Sequence, residues 1–396
     1  MSAILLCLRD PALRAAGLVL ALHGAIVCSF GPYFSTLAVN SFGFGDRGYA
    51  VLLALSSLVS VSASVIGGIR ADQTANRRQV TLVAALCLLL GSLLMTAVPG
   101  PAIFAVTVAL LVPVSSIIFG QVFALARLAA SRYPEAARDG IMAVIRALFA
   151  ASFVVVLPLW SLAFAAGAPI IAIYPVGLAL STIMLATVLR LWPADSAAPW
   201  DDRPSGLTFR AALAEMGHPR IAARVVALGA VTGASTIYMA ITSLVVVAGV
   251  GRGTEDVALY VGLVAGIEVP FMLILPHLTR GIPRTRLILT GAALYGVHLA
   301  LLPVLASAPL VWLLVLPAAV GGALTLTVPI AYLQDLLADR PGAGASLMAV
   351  QRLAGDAIAA TCFALGTSLS GYLAVALLGV TASLIGAAAL WAADRG

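Results

Sequence analysis

Apolar runs of about twenty residues or more follow one another along nearly the whole chain, broken by short polar interludes. The hydrocarbon core of a bilayer takes about 20 apolar residues per helix. By that ruler the pattern predicts about twelve spans, at roughly 13–39, 48–69, 79–98, 102–129, 140–165, 169–191, 221–248, 256–279, 286–306, 309–336, 344–370 and 372–392. The runs are continuous rather than alternating, which argues against the strands of a membrane barrel. The breaks carry turn residues, as in Pro99-Gly100-Pro101 and Ala306-Ser307-Ala308-Pro309. No short apolar stretch with a small-residue cleavage site follows Arg9 and Arg14, so the first run reads as an uncleaved span.

Composition sharpens this reading. Charged residues are 10% of the 396, against 62% hydrophobic types. Near a quarter charged is usual for soluble domains, so the chain cannot clothe a water-facing surface. That argues against a soluble enzyme, a nucleic-acid-binding domain or a disordered scaffold. The formal charge of +6 comes from scattered Arg, with no dense basic stripe for nucleic acid. The four cysteines lie far apart, without metal-ligand or disulfide spacing, and no nucleotide-binding P-loop occurs. No cofactor is expected.

The charges also set topology. Of the 22 Arg, 18 fall on one side of the expected bilayer, in interludes or at span ends, and only Arg47 and Arg252 on the other. Basic loops stay cytoplasmic, so both termini are expected in the cytoplasm. Arg146 and Arg352 remain inside spans. The most polar stretch, 193–219, reads as a cytoplasmic linker between a six-helix bundle at 1–192 and another at 220–396. An internal match supports two parallel halves. Met142-Ala143-Val144-Ile145-Arg146 in the fifth span reads against Met348-Ala349-Val350-Gln351-Arg352 in the eleventh, with four of five positions the same. Parallel six-span halves are the plan of the major facilitator superfamily. The expected fold is therefore an all-α membrane protein of twelve transmembrane helices in two six-helix bundles.

The loop Gly68-Ile69-Arg70-Ala71-Asp72-Gln73-Thr74-Ala75-Asn76-Arg77-Arg78 resembles that superfamily's loop signature, a Gly and an Asp followed by a basic cluster. On that reading Gly68 allows close helix approach, Asp72 pairs with Arg at a helix end, and Arg77 and Arg78 anchor the loop. Gln73 and Ala75 depart from the pattern, standing where a basic residue and a Gly are usual. The bland reading is an ordinary positive-inside loop.

Ionisable residues deep in spans are costly and mark function or pairing. Glu268 lies about 16 Å from the cytoplasmic end of the eighth span, and Arg146 about 10 Å up the fifth. Arg352 and Asp356 stand four apart and share a helix face. Glu268 is the leading proton carrier, with Asp356 a second candidate. Static ion pairs are the plain alternative for both. Gln121 and Gln334 offer donors and acceptors to a hydroxyl-rich ligand, and Tyr33 and Tyr238 are further polar points for a central cavity. Arg127 and Asp335, near the cytoplasmic ends of equivalent spans, could form an inner gate, or Arg127 could simply snorkel. His23 and His298 could carry protons, though a lone span His is more often structural.

The segments Gln121-Val122-Phe123-Ala124-Leu125-Ala126-Arg127, Ala265-Gly266-Ile267-Glu268-Val269-Pro270 and Tyr332-Leu333-Gln334-Asp335-Leu336, with Arg146 and Arg352, resemble the bacterial sugar efflux transporter family. The resemblance implies export of sugars or sugar-like compounds by proton antiport in the inner membrane. It singles out Gln121, Arg146, Glu268, Gln334 and Arg352. In the superfamily's arrangement the fifth and eighth spans face each other, which would let Glu268 meet Arg146. The expected partners are a small-molecule substrate, protons and the lipid bilayer, and the expected state is a monomer. Multidrug or amphiphile efflux, and proton-coupled import, use the same parts. A membrane receptor or assembly subunit is disfavoured by the short loops.

Overall fold

The computed structural model describes residues 3–194, 200, 219–279, 281–336 and 343–394. Most of the expected 193–219 linker, with Arg203 and Arg210, lies outside these residues, as do Arg280, Arg340 and Arg395. The described chain is helical, and its long helices follow the expected runs closely. They are α1 (Pro11–Phe30), α2 (Gly45–Thr74), α3 (Arg77–Ala97), α4 (Ser116–Ala130), α5 (Glu135–Ala165) and α6 (Ile173–Leu191) in the first part of the chain. The second part holds α7 (Pro219–Ser243), α8 (Thr254–Leu278), α9 (Arg284–Leu305), α10 (Val315–Leu336), α11 (Ala343–Leu369) and α12 (Tyr372–Ala393). A short helix, Ala3–Arg9, precedes α1.

Helices form because a bilayer leaves no water for backbone groups, which must then bond within the segment. Their ends sit where apolarity stops. Asn76 caps α3 by accepting from the backbone N–H of Gln79, and Pro101 opens the rod that leads into α4. Ten helical stretches among the described residues are long and apolar enough to cross a membrane, and they include every long helix except α8 and α11. Those two occupy the places of the expected eighth and eleventh spans. Outward-facing side chains are apolar too: Leu162, Leu313, Leu369 and Ile385 are each more than 60% exposed. Such a surface needs lipid as its solvent.

Two compact units emerge. The first joins Met1–Phe30, Leu58–Val156 and Ile171–Ala211. Its core includes Leu13, Leu20, Leu88, Met95, Ile118 and Ile145, all buried. Small residues set its closest approach: a methyl built on Gly24 of α1 would lie 2.9 Å from Ser152 Oγ of α5, and that hydroxyl donates to Ala21 O at 2.8 Å.

The second unit joins Ala212–Gly396 with Gly31–Ser57 and Leu157–Ile170. The compact units thus cut across the two halves read from sequence. The far ends of the first, second and fifth spans pack with α7–α12. Gly229 and Gly233 of α7 fit against the α11 backbone, where a methyl on Gly233 would lie 2.7 Å from Gly355 O. Beyond α1 and beyond α7 the helix widens into π turns, Leu37–Ser41 and Leu244–Gly249, at matching places in the two parts of the chain.

Candidate functional site

The second unit holds a polar interior in an otherwise apolar bundle. Glu268 is half-buried near the middle of α8. Its carboxyl lies over Gly322 of α10, where a built methyl would sit 2.5 Å from Glu268 Oε1 and 3.5 Å from the Tyr295 ring. The aromatic neighbours at this point are Tyr295 on α9 and, packed against it, Tyr238 on α7. Those two rings meet edge to face with centroids 6.1 Å apart. The Tyr238 hydroxyl is buried without a hydrogen-bond partner. Among the described residues Glu268 has no ion-pair partner. Behind this group, Tyr260 Oη lies 3.1 Å from His298 Nδ1 and the two rings stack, with Trp312 on the far side of Tyr260. His298, a possible proton carrier by sequence, is thereby fully buried within an aromatic cluster.

A second polar cluster ties α7 to α11. Thr236 Oγ1 donates to Asp356 Oδ1 at 2.7 Å, and Gln351 Nε2 donates to Thr232 Oγ1 at 3.4 Å. Arg352 Nε lies 3.8 Å from Asp356 Oδ2, the expected i,i+4 pair, but the Arg352 side chain is 69% exposed. The Thr236 bond is a feature that sequence spacing did not reveal.

The end of this unit where α12 begins is closed by contacts among its own segments. Ser35 and Ser243 hydroxyls lie 2.9 Å apart, and the Tyr372 hydroxyl donates to Asp46 Oδ1 at 3.0 Å. Tyr49 meets Phe363 edge to face at 5.2 Å. A methyl on Gly262 would lie 3.3 Å from Leu157 Cβ and 3.4 Å from Pro158 Cδ. Tyr33, expected to line a cavity, is fully buried against Phe164 with centroids 5.3 Å apart.

In the first unit, Gln121 on α4 is 3% exposed and its Oε1 has no hydrogen-bond partner. An aromatic row runs Phe123, Phe119, Phe149, Phe153, with successive centroids 4.8, 5.4 and 5.6 Å apart. His23 packs against Phe149. Arg146 on α5 and Arg127 on α4 are exposed. Arg146 and Glu268 belong to different units. Gln334 and Asp335 lie in the last turn and a half of α10, and their side chains are outside the described residues.

The loop between α2 and α3 corrects one expectation. A methyl on Gly68 meets nothing within 4 Å, whereas one on Gly67 would lie 3.0 Å from Ile117, so Gly67 is the close-approach glycine. Asp72 does pair with Arg at a helix end, with Arg77 Nη2 at 2.8 Å. Arg78 instead reaches the end of α6, donating to Leu189 O at 2.6 Å and Val188 O at 3.4 Å. It satisfies carbonyls that a helix C-terminus leaves open. Ala75, standing where the signature has Gly, holds a left-handed φ of 50°. That conformation costs a residue with a Cβ about 1–2 kcal/mol. Ala75→Gly is therefore expected to raise stability by about 0.5–1 kcal/mol, after the added flexibility of the unfolded chain is subtracted. Thermal melting in detergent reads this, and a lower melting temperature would contradict the strain.

Sequence reading missed Asp10. It is 5% exposed and accepts from the N–H groups of Ala12 and Leu13, so it caps α1. Its other oxygen takes Arg132 and, at 2.9 Å, the Tyr133 hydroxyl from the segment after α4. Burial first, and the Asp10 carboxylate next, push the Tyr133 phenol up, so it stays a donor at neutral pH. The second unit has a matching triad. Asp394 accepts from Tyr332 at 3.0 Å and pairs with Arg224 at 3.1 Å. An Asp-Pro step ahead of an apolar run was the available cap signal for Asp10. Asp10→Ala should cost about 2–3 kcal/mol, from a lost cap and two stranded donors, and Asp10→Asn clearly less. Chemical denaturation of the purified protein separates the two, and equal losses would refute the capping part.

These features accord with what the chain is similar to. Residues 16–360 match the profile of the Major Facilitator Superfamily, and the chain belongs to that family. It is a transporter and not an enzyme. A protein of Deinococcus radiodurans named "Putative sugar efflux transporter" is 28% identical, with 96% of this chain and 98% of that protein aligned. Among solved structures, the nucleoside transporter NupG aligns with TM-score 0.72 at 15% identity, over 96% of this chain and 99% of that one. A POT family transporter in complex with a thioalcohol conjugated peptide aligns with TM-score 0.73 at 13% identity, over 97% and 95%. At such identities these two structures bear on the fold alone.

Proposed function

We propose that this chain is a secondary transporter of twelve spans that exports sugars or sugar-like compounds by proton antiport. The observation that carries the coupling is Glu268, an acid seated among phenols in mid-helix with no counter-charge among the described residues. A group that can be buried neutral and exposed charged is what a proton carrier requires. The halves at 1–192 and 220–396 rock about a central site, exposing it to each side in turn. Arg146 is the cation assigned to the coupling, and Asp356 is a second acid in the unit that holds Glu268. Substrate hydroxyls are met by Gln121, whose buried Oε1 lacks a partner, and by Tyr238, whose hydroxyl lacks one too. Tyr33, Gln334 and Arg352 complete the proposed lining. Asp72, Arg77, Arg78, Arg127 and Asp335 belong to the cytoplasmic gate, where Gly67 rather than Gly68 allows the close approach. Both termini face the cytoplasm of a bacterial inner membrane, following the arginine distribution, and the monomer is the working unit.

The sugar class rests on the full-length likeness to the Deinococcus protein and on the unpartnered amide and phenol. A second reading, efflux of apolar amphiphiles, is favoured by the aromatic row from Phe123 to Phe153. Proteoliposomes with an imposed pH gradient, offered radiolabelled glucose, lactose and sucrose beside hydrophobic cations, decide between them. Gradient-driven saccharide movement is expected. Movement of the cations alone would overturn the sugar class.

A further inference from the structure

Two adjacent glycines on α10 have separate jobs. A methyl on Gly321 would lie 2.5 Å from the backbone N of Tyr295 and 3.0 Å from Gly291 O, so Gly321 lets the α9 backbone approach. Gly322 faces no backbone so closely. What a methyl there would meet is the Glu268 carboxyl, at 2.5 Å from Oε1 and 3.2 Å from Cδ. The absent side chain is a notch, and the acid fills it.

We propose that the Gly322 notch is a seat for the proton-loaded form of Glu268, and that Gly322 is a positioning residue for proton coupling. The proposal rests on the reading of Glu268 as the proton carrier. The seat is walled by the Tyr295 ring from α9, and Tyr238 from α7 packs against that ring. The α10 wall contributes glycine. Tyr260 and His298 pack against Tyr238 in turn, with centroids 6.5 and 5.1 Å away. Among the described residues no cation enters this set. A carboxylate held there would give up part of its water to an aromatic wall, which is costlier than seating the uncharged acid. The seat therefore favours the acid with its proton on. Losing the proton drives the side chain out of the notch, toward water or a cation elsewhere. Proton release and side-chain movement become one event.

The sign of the effect follows. Filling the notch penalises the protonated state, so loading Glu268 then needs more protons and its midpoint moves to lower pH. The test needs no substrate. Infrared difference spectra of the full-length protein in detergent, taken against Glu268→Gln, follow the carbonyl band of the protonated acid as pH is varied. Gly322→Ala is expected to move the midpoint acidward by about one pH unit, a tenfold rise in the protons required. Adding Glu268→Asp, which shortens the side chain by one methylene, is expected to bring the midpoint back toward that of the parent. An unmoved midpoint in Gly322→Ala would overturn the seat. So would a parent protein showing no protonated-acid band at neutral pH, a measurement that stands even if Gly322→Ala fails to fold. Glu268→Gln in driven transport tests the underlying reading separately. If that variant loses coupling while the Gly322→Ala midpoint stays put, the seat alone is wrong. If that variant couples normally, the carrier assignment falls, and the seat with it.

Discussion

Glu268→Gln is expected to abolish transport driven by a pH gradient while the protein still folds, inserts and elutes as the parent does. The amide has nearly the volume of the acid, so the fit over Gly322 and against Tyr295 is kept. What disappears is the exchangeable proton. With the side chain permanently neutral, a pH gradient has no handle on the conformational equilibrium, because it can shift two states only through a difference in their proton affinity. Uptake into reconstituted vesicles with and without a gradient reads the result. Gradient-dependent rates that match the parent would remove Glu268 from the coupling mechanism and leave Asp356 as the remaining candidate.

The second large effect concerns the joint between α7 and α11. Gly233→Leu places four carbons where the first would already lie 2.7 Å from Gly355 O and 3.3 Å from Gly355 C. Backbone cannot yield as a flexible side chain can, so the helices must part. Overpacking of this kind costs about 1–3 kcal/mol or more. Parting the helices also breaks the Thr236–Asp356 and Gln351–Thr232 bonds, worth about 0.6 kcal/mol each in membrane settings. The expected outcome is a variant that melts far below the parent or fails to accumulate. Gly68→Leu is the matched control, since a methyl there meets nothing within 4 Å, and its melting temperature should not fall. Equal damage from both substitutions would mean that glycine itself, not the close approach of α11, is what the fold needs.

Helix positions were legible in the sequence because lipid enforces a length and turn residues mark the ends. The seventh and eleventh runs, expected at 221–248 and 344–370, correspond to α7 with its π turn and to α11 within two residues. Local pairs were legible as well: Arg352 and Asp356 share a helix face four residues apart, and Asp72 meets Arg77 across the short turn between α2 and α3. What could not be read were meetings between distant runs. Asp10 lies 122 residues from Arg132, and nothing in either segment names the other. Thr236 and Asp356 are 120 apart. Gly68 was preferred to Gly67 from its place in a signature, and only the neighbouring Ile117 distinguishes them. Gly322 gave no signal at all, since its role is the space it leaves for a side chain from another helix.

The seam at the α12-start end of the second unit has a consequence in populations and time. It is held by the Ser35–Ser243 and Asp46–Tyr372 hydrogen bonds and by the packing of Gly262 on Leu157 and Pro158. Hydrogen bonds of this kind contribute about 0.5–1.5 kcal/mol each after exchange with water, so the polar part of the latch is worth about 1–3 kcal/mol. Taken alone, a difference of that size leaves the parted form populated at about 0.6–16%, and the apolar packing of Gly262 lowers that further. On the proposed alternating-access reading, a seam held this lightly parts by ordinary fluctuation, and substrate and protons need only bias how often it does.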